Sequence, residues 1–376
     1  MSRPVRTLLH VYATFKVGGP QIRFSQLANH FGRDYRHLIV AMDGATAAFD
    51  RLAPDLDASV LEVPIRRGQT LANLGTFRRV LNEVRPDLLV TSNWGSIEWA
   101  LANLDGKVRH LHIEDGFGPE EATGQLPRRV WTRRLALHRS TVLMPSQTLY
   151  GIARTIWRLP SRRLLYVPNG IDCARFGVGP DTAFAEASGI RLDVPVIGTV
   201  AALRPEKNLH RLVDAFAQVV RQRPAQLVLV GDGAERAGLE ARAAGLGISD
   251  SLLFAGACAT PEKLLPSFTL FALSSDTEQM PLSVLEAMAA GRPVVATDVG
   301  DIRQMLADEN RPFVVDRDTD RLAEAMLALL ASPARSAIGA ANAARARQAY
   351  DQSLMFAAYR TLFNGDPLDV PKTRQA

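Results

Sequence analysis

Two glutamates eight residues apart, Glu278 and Glu286, could bind the hydroxyl groups of a sugar. Pro281 suits the first turn of a helix, where its missing N–H costs nothing, and apolar residues then recur at helical spacing until Gly291. The pattern therefore predicts that Glu286 lies on a helix and Glu278 in the loop before it. Carboxylates accept hydrogen bonds from hydroxyl groups, so the pair is suited to sugar binding.

The start of the same helix could bind phosphate. The apolar run Leu270–Leu273 predicts a buried strand just upstream, so the loop opens at the carboxyl end of a sheet, where open α/β sheets bind ligands. Backbone amides at a helix start attract anions. We expect phosphate contacts from five consecutive residues: Met280, Pro281, Leu282, Ser283 and Val284.

A second loop carries two cations that could neutralise a diphosphate. Arg204 and Lys207 lie between a strand that ends at Val200 and a helix from about Asn208. A transferase that cleaves a sugar–diphosphate bond must neutralise charge on the leaving nucleotide, and a paired Arg and Lys can do so without a metal. We expect no Asp-x-Asp metal motif at a strand end, and therefore no metal.

These segments resemble glycosyltransferase family four, whose members are retaining enzymes of the GT-B fold. The resemblance rests on the glutamate pair followed by A-M-A-x-G-x-P-V-V-A-T, on Y-V-P-N-G-I-D at 166–172 and on R-P-E-K-N-L at 204–209. It implies that Glu278 contacts the donor sugar, Glu286 the ribose, and Lys207 with Arg204 the leaving diphosphate. It also implies front-face displacement, in which the leaving phosphate assists deprotonation of the acceptor hydroxyl.

The same resemblance implies two glycine turns beside the donor. Gly231 and Gly233 would lie next to the base and ribose, and Gly18 with Gly19 would face the donor phosphates across a cleft. The donor is expected to be a UDP-sugar or GDP-sugar, with no cofactor. One departure from the family is Gln279, which stands where a glycine is usual and would reshape the sugar pocket.

The acceptor side is expected in the loop after a strand of the first domain. Family members often have a histidine before a glycine here, whereas Asp115 precedes Gly116 in this chain. Asp115 and His112 are equal candidates for the acceptor-side catalytic group, with Glu114 behind them. His110 is expected to be a hydrogen-bonded core histidine.

The chain is long enough for two domains. It has 376 residues, 47% hydrophobic and 22% charged, as in globular proteins. Strands alternate with helices and the alternation restarts at Pro195, which predicts an α/β fold of two doubly wound Rossmann-like domains facing each other across a cleft. The expected limits are an acceptor-binding domain at 1–175, a nucleotide-sugar domain at 176–350 beginning with a linker at 176–193, and a crossover helix with a tail at 351–376.

Positive charge is concentrated in the first half of the chain. Residues 1–180 hold 24 Lys and Arg against 15 Asp and Glu, and the remainder hold 20 against 24. Arginines alternate with apolar residues at 126–139 and 154–163, which include Trp131 and Trp157. A solvated helix surface and a face that binds anionic lipid are equally consistent with this pattern. Nucleic acid is not indicated, because no recognisable binding motif accompanies the arginines.

The two cysteines, Cys173 and Cys258, are far apart and are expected to be free thiols in a reducing compartment. No apolar run approaches the roughly 20 residues of a spanning helix, and the N-terminus leads directly into a strand. We therefore expect a cytoplasmic protein, peripheral at the inner face of the membrane.

The sequence predicts a retaining glycosyltransferase that moves a sugar to a lipid-linked or saccharide acceptor in cell-envelope glycan or glycolipid synthesis. A sugar-nucleotide epimerase of the same fold is the nearest alternative. A non-catalytic sugar-nucleotide binder is kept open by Gln279 and Asp115. A nicotinamide-dependent oxidoreductase would use a similar sheet, but no full G-x-G-x-x-G follows a strand.

Overall fold

The structure is a computed structural model that describes residues 4–66, 68–117, 119–121 and 124–366. The chain divides into two compact units, one formed by residues up to Asn169 together with those from Met355, and the other by 170–354. Each unit is built around one parallel sheet. The predicted alternation of strands and helices is therefore present in both.

The first unit contains a seven-stranded sheet in the order β3-β2-β1-β4-β5-β6-β7. Its strands are β1 (Arg6–Tyr12), β2 (Tyr35–Ala41), β3 (Ala58–Val60), β4 (Leu88–Ser92), β5 (His110–Ile113), β6 (Thr141–Met144) and β7 (Leu164–Tyr166). Five helices of this unit precede the second unit in the chain: α1 (Gly19–Phe31), α2 (Thr70–Val84), α3 (Ile97–Ala102), α4 (Pro127–Leu137) and α5 (Gln147–Thr155). The strand order reverses between β1 and β4, which opens a crevice at their carboxyl ends.

The second unit contains a six-stranded sheet in the order β10-β9-β8-β11-β12-β13. Its strands are β8 (Val196–Val200), β9 (Gln226–Val230), β10 (Leu252–Gly256), β11 (Leu270–Leu273), β12 (Val294–Thr297) and β13 (Val314–Val315). Its helices are α6 (Cys173–Phe176), α7 (Thr182–Ala187), α8 (Leu209–Gln222), α9 (Arg236–Gly245), α10 (Leu282–Ala289), α11 (Ile302–Met305), α12 (Thr319–Ala331) and α13 (Arg335–Ala349), and α14 (Gln352–Asn364) follows. Here the order reverses between β8 and β11.

The central strands are largely buried, and most of their residues are apolar, because helices cover both faces of each sheet. All four residues of β11 are buried, as are Leu8, Leu9 and Val11 of β1. Fully parallel sheets bury both faces in this way, so their strands lack the alternation of a half-exposed strand. This explains why the strands were recognisable from the sequence as continuous apolar runs.

The segment predicted to be a linker, 176–193, is instead part of the second unit. Asp181 caps α7 by accepting a hydrogen bond from the amide of Phe184, and Ala185 and Ile190 lie in the core of this unit. A short helix with one buried alanine gives little periodicity, which is why the sequence did not reveal it.

Helix α14 buries its apolar face in the first unit. Phe356, Tyr359 and Phe363 pack in the same core as Phe31 of α1. The guanidinium of Arg109 donates to the carbonyls of Leu362 and Phe363, each at 2.6 Å, and so satisfies the carboxyl end of the helix. Most of the predicted tail that follows this helix, up to residue 376, lies outside the described residues.

Candidate active site

The centre of the candidate site is an ion pair between Lys207 and Glu278. Lys207 follows β8 and Glu278 follows β11, and these two strands are neighbours at the point where the strand order reverses. The Lys207 Nζ lies 2.6 Å from Glu278 Oε1, which also accepts a hydrogen bond from Ser275 Oγ at 2.7 Å. The side chains are 21% and 9% exposed. A charged donor and a charged acceptor therefore stand together at the edge of the sheet that binds ligands in such folds.

The loop that carries Glu278 is held by the last residue of β12 and by the segment that follows this strand. Thr297 Oγ1 donates to the Ser275 carbonyl at 2.7 Å, and the Asp301 amide donates to the Gln279 carbonyl at 2.9 Å. Gly300 has φ +57°, and a Cβ there would lie 2.4 Å from the carbonyl oxygen of Glu278. Only glycine fits this position, because a side chain would be strained and would collide with the backbone.

A clamp between the two loops was not predicted from the sequence. Asn208 has a left-handed backbone, caps α8, and donates from Nδ2 to Asp276 at 3.0 Å. Arg211 donates to the Ser274 carbonyl and to Asp276, each at 2.8 Å. These bonds fix the loop of Lys207 against the loop of Glu278, so that the ion pair is held in place by its surroundings.

The structure does not bring Arg204 to this ion pair. Its side chain is 57% exposed, and its Nε lies 3.5 Å from Glu206. A pair this exposed contributes little to stability. The role of Arg204 at the diphosphate stays a prediction, and it would require the side chain to leave Glu206.

The glycine turn after β9 packs against the loop that leads to Arg204. Gly231 has φ +143°, and a Cβ there would lie 1.9 Å from the Ala201 carbonyl oxygen. A Cβ at Gly233 would lie 2.4 Å from the Leu203 carbonyl oxygen. Both glycines are thus required for the close approach of two loops within the unit, and their contact with the base and ribose stays a prediction.

Helix α10 begins one residue later than predicted. Pro281 is the N-cap, with ψ 126°, and Leu282 is the first helical residue. The five residues predicted to contact phosphate do not contribute equally: Pro281 has no N–H to donate, and the Val284 amide donates to the Pro281 carbonyl at 3.2 Å. Among the described residues, the amides of Leu282 and Ser283 have no hydrogen-bond acceptor. Met280 is buried, and its own contact with phosphate stays a prediction.

Glu286 lies on α10 as predicted and is half-buried, and its carboxylate has no hydrogen bond or ion pair to any described residue. Burial raises the pKa of its carboxyl to about 7, while the nearby Arg175 opposes this shift and Glu262 adds to it. Arg175 itself is bound to Glu262 at 2.8 Å. A carboxyl left without a partner in a binding site can gain stabilisation from hydroxyl groups of a ligand.

Gly18 and Gly19 lie at the start of α1, directly after β1. Gly18 is the N-cap with extended backbone, and Gly19 is the first helical residue. A Cβ at Gly19 would meet no described atom within 4 Å, whereas one at Gly18 would lie 3.0 Å from Gln21 Oε1. Packing inside the unit therefore does not explain Gly19, and its predicted role beside donor phosphates stays a prediction.

Asp115 is held by an ion pair that the sequence did not reveal. Arg23 of α1 donates to both carboxylate oxygens of Asp115, with NH2 to Oδ2 at 2.9 Å, and also to Asn169 Oδ1 at 2.9 Å. Burial alone would lower the pKa of Arg23, but the carboxylate of Asp115 holds it above its ordinary value. The Asp115 amide donates to Asn93 Oδ1 at 2.7 Å. Arg23 thereby joins three segments that are remote in sequence.

The other acceptor-side candidates lie inside the sheet. His112 is completely buried, with Nδ1 2.8 Å from Thr91 Oγ1 and Nε2 3.5 Å from Glu114. Glu114 is equally buried and its Oε1 has no partner among the described residues. His110 bonds to Thr91 and Ser140, each at 2.7 Å, as expected of a core histidine. Burial lowers the pKa of His110 to about 3.

The arginine-rich segments are not the continuous exposed face that lipid binding would require. Arg133 is completely buried, and it donates to both oxygens of Glu121 at 2.9 and 3.0 Å and to Glu114 at 3.3 Å. Its guanidinium also lies 4.8 Å from the ring centroid of Trp157, which is itself buried. Arg129 is only 12% exposed and pairs with Glu121. These residues belong to the core of the first unit.

A smaller exposed patch remains on α4 and at the end of α5. Trp131 is 66% exposed, Leu135 57% and Ile156 43%. Arg134 connects the two helices, because its guanidinium lies 4.6 Å from the Trp131 ring centroid and donates to the Ile156 carbonyl at 3.3 Å. No helix in the described part of the chain is long and apolar enough to cross a membrane.

The expectation that no Asp-x-Asp sequence stands at a strand end is wrong. Asp316 and Asp318 form an Asp-x-Asp sequence directly after β13. Asp318 accepts a hydrogen bond from the Arg321 amide at 2.9 Å and so caps α12. Over the described ranges, no group of three or more His, Cys, Asp or Glu could hold a metal ion. Independence from metal stays a prediction.

Two family descriptions match the chain. "Glycosyl transferase 4-like domain" matches residues 18–170 and "Glycosyl transferases group 1" matches residues 194–332. The chain belongs to the group 1 glycosyltransferases, glycosyltransferase family four. The resemblance drawn from the sequence motifs is thereby confirmed.

Curated relatives of this glycosyltransferase are similar over part of their length. D-inositol 3-phosphate glycosyltransferase of Segniliparus rotundus is 29% identical over 69% of this chain and 60% of that protein. A GDP-mannose-dependent alpha-(1-6)-phosphatidylinositol monomannoside mannosyltransferase of Mycobacterium tuberculosis is 33% identical over 49% of this chain and 51% of that protein. The chain spans about half the length of the curated relatives it matches.

Solved structures share the fold of this glycosyltransferase. A glycosyltransferase from Rickettsia africae superposes with a TM-score of 0.79 at 15% identity, over 96% of this chain and 99% of that one. Anabaena HepE in complex with UDP-glucose gives a TM-score of 0.79 at 20% identity, over 96% of this chain and 100% of that one. The predicted GT-B fold class is confirmed.

Proposed function

We propose that the protein transfers a sugar from a nucleoside diphosphate sugar to a lipid-linked or saccharide acceptor in cell-envelope glycan or glycolipid synthesis. The observation that carries the proposal is the Lys207–Glu278 ion pair at the carboxyl ends of adjacent strands. Both donor types are supported by similar proteins, since the mycobacterial relative is GDP-mannose-dependent and HepE was crystallised with UDP-glucose. The donor is therefore a UDP-sugar or a GDP-sugar.

The donor diphosphate would bind at the start of α10. The free amides of Leu282 and Ser283 would donate to one phosphate, and the positive end of the helix favours the anion. Lys207 would turn from Glu278 to the phosphate that leaves with the nucleotide, and Arg204 would join it from solvent. The two cations would then stabilise the charge that develops when the sugar–phosphate bond breaks. This supply of positive charge is the basis for proposing a reaction without metal.

The two glutamates would hold the ends of the donor. Release from Lys207 leaves Glu278, still bound to Ser275, to accept hydrogen bonds from sugar hydroxyls. The carboxylate of Glu286 has no partner among the described residues, so the ribose hydroxyls would provide one. In this arrangement Glu278 positions the reacting sugar, whereas Glu286 contributes to nucleotide affinity.

Transfer would retain the configuration at the anomeric carbon. The acceptor oxygen forms its bond to that carbon on the face from which the diphosphate leaves, and the hydroxyl proton passes to the departing phosphate oxygen. Asp115 is the better of the two acceptor-side candidates, because His112 is enclosed in the sheet. Both oxygens of Asp115 bind Arg23, so we assign it to orienting the acceptor hydroxyl instead of removing its proton.

The test is a transfer assay with UDP-sugars and GDP-sugars, with and without lipid-linked and saccharide acceptors. A glycosylated product that requires an acceptor supports the proposal, whereas an epimer formed from donor alone would establish the epimerase. Tight donor binding without turnover would establish a non-catalytic binder. Lys207→Ala should lose turnover, and Lys107→Ala is the matched control, because Lys107 also pairs with a carboxylate but at the surface.

We also propose that the patch of Trp131, Leu135 and Ile156 rests on an anionic membrane surface. These side chains are exposed, and the exposed arginines Arg128 and Arg154 lie on the same two helices. Interfacial aromatic residues with flanking cations are typical of peripheral membrane binding, and each cation near an anionic surface contributes about 1 kcal/mol. Such binding would hold the protein at the inner face of the membrane, next to a lipid-linked acceptor.

Liposome co-sedimentation tests this surface. Arg128→Glu with Arg154→Glu should reduce binding to anionic vesicles, as should Trp131→Ala and added salt. Reversal of two exposed arginines elsewhere, Arg79 and Arg221, is the charge-matched control. Arg133 is left unchanged because its replacement would break the core. Binding that ignores lipid charge and both reversals would contradict the membrane proposal and favour a saccharide acceptor.

A further inference from the structure

A cavity of about 120 Å³ lies at the amino ends of β5 and β6 in the first unit. It is at the edge of the sheet opposite to the loop of Asp115, which follows the carboxyl end of β5. Its volume is well above the roughly 15 Å³ that one water needs. A polyatomic ion could therefore enter it.

The side chains that line this cavity are predominantly cationic and polar. Among the described residues, no Asp or Glu lines it, whereas three arginines do: Arg109, Arg139 and Arg163. Ser140 and Thr141 add hydroxyl groups. A concave surface with positive charge and no carboxylate attracts anions.

The three arginines are not equally available. Arg109 donates from both terminal nitrogens to the carbonyls at the end of α14, so these N–H groups are already occupied. Arg139 makes one long bond, from NH1 to the Leu104 carbonyl at 3.4 Å, and its remaining N–H groups are available. Arg163 has no such carbonyl, and its Nε is buried without any hydrogen-bond partner.

Arg163 is the most available of the three arginines, because its half-buried guanidinium donates to no described residue. Leaving a charged, buried donor unsatisfied costs more than most hydrogen bonds contribute. Arg163 ends the short helical turn Ser161–Arg163 immediately before β7, so its backbone is fixed by the sheet. Because the Nε itself is enclosed, an oxyanion in the cavity would accept hydrogen bonds from the terminal N–H groups of Arg163, since guanidinium groups match the oxygens of a phosphate.

We propose that this cavity is a second anion site, which binds a phosphate group through Arg163 and Arg139 with the Thr141 hydroxyl. The ligand is free phosphate or a phosphate monoester at the end of a larger molecule. The site is separate from the Lys207–Glu278 site, which belongs to the other unit of the chain.

The experiment measures binding of inorganic phosphate by calorimetry and by thermal shift, against potassium chloride at equal ionic strength. Wild type should bind phosphate at this site, and Arg163→Gln should weaken that binding at least tenfold. Arg162→Gln is the matched control, because Arg162 is adjacent in sequence, exposed, and does not line the cavity. Without phosphate, Arg163→Gln should melt no lower than wild type, since it removes a buried unpaired donor. Arg139→Gln serves as a second variant.

Two sources of the phosphate group are distinguished by repeating the measurement with vesicles that contain phosphatidic acid. Vesicle binding that depends on Arg163 and is displaced by inorganic phosphate identifies a lipid headgroup, whereas binding of soluble phosphate alone identifies a soluble ligand. Either result supports the site. It is overturned if wild type and Arg163→Gln bind phosphate equally, or if wild type does not bind it.

Discussion

Glu286 should make donor affinity depend on pH between 6 and 8. Burial raises the pKa of its carboxyl to about 7, from an ordinary value of 4.5. If ribose hydroxyls donate hydrogen bonds to the carboxylate, the nucleoside diphosphate sugar binds protein in which Glu286 is ionised. Protein in which Glu286 is protonated must first lose that proton. Affinity therefore rises as pH rises through 7, in contrast to a site in which a protonated carboxyl donates to the ribose.

The magnitude follows from the pKa. With a pKa of about 7, roughly one molecule in ten has an ionised Glu286 at pH 6, and roughly nine in ten at pH 8. The dissociation constant of the donor should thus be about tenfold larger at pH 6 than at pH 8, and about half a proton should be released per donor bound at pH 7.

The assay is isothermal titration calorimetry with the intact nucleoside diphosphate sugar, in buffers of different ionisation enthalpy. The intact donor is chosen because a terminal phosphate would itself titrate near pH 6. Glu286→Gln should bind with an affinity independent of pH over this range, whereas Glu240→Gln, an exposed glutamate on α9, should behave as wild type. A wild-type affinity that does not change with pH, or the same pH dependence in Glu286→Gln, would show that the Glu286 carboxylate does not bind the ribose.

Three further predictions concern the loops and the core. Lys207→Ala should lower kcat, because one preorganised donor to the leaving anion is lost, and this loss should raise the activation free energy by roughly 2–4 kcal/mol. Steady-state kinetics measures the change. Gly300→Ala should lower activity and donor affinity in the same assays, because its Cβ would displace the Glu278 carbonyl. Acid should destabilise the fold, because burial lowers the pKa of His37 to about 4 and that of His110 to about 3. Between pH 6.5 and these values only the unfolded state gains protons, so the free energy of unfolding should fall by about 1.4 kcal/mol per histidine by pH 5.5. Urea unfolding at pH 7.0 and 5.5 measures this loss.

Matched controls separate these effects from general damage. Gly44 has φ +78° but a Cβ there would meet nothing, so Gly44→Ala carries the strain without the collision. His138 is exposed, and His138→Gln should leave the acid dependence unchanged. Glu286 acts in the opposite sense, because its raised pKa stabilises the fold below pH 4.5 and this contribution is lost as pH rises through 7. Equal stability of the Glu286→Gln variant at both pH values would contradict the histidine prediction, because this variant lacks the opposing contribution of Glu286.

The sequence was sufficient to locate candidate site residues when each could be recognised within its own loop. Glu278, Lys207 and the glycine turn after β9 were located because each follows an apolar strand, and parallel strands bring their carboxyl ends to one edge. The start of α10 was predicted one residue early, since Pro281 has the same φ at an N-cap as in a first turn and only ψ distinguishes them.

Contacts between distant segments could not be predicted. Arg211 binds the Ser274 carbonyl 63 residues away, and Arg23 binds Asp115 92 residues away, and neither pair follows a local period. Arg133 was misplaced because arginines among apolar residues indicate an exposed face unless carboxylates lie nearby in the fold. Glu114 and Glu121, a short distance upstream, were the signal that some of these arginines are paired and buried.

The most direct test of the central claim is a crystal structure of the protein with a nucleoside diphosphate sugar that binds in calorimetry. Density for the diphosphate is expected within hydrogen-bonding distance of Lys207 Nζ and of the Leu282 and Ser283 amides, with the ribose at Glu286. A diphosphate bound elsewhere, with Lys207 still paired to Glu278, would contradict the proposed function.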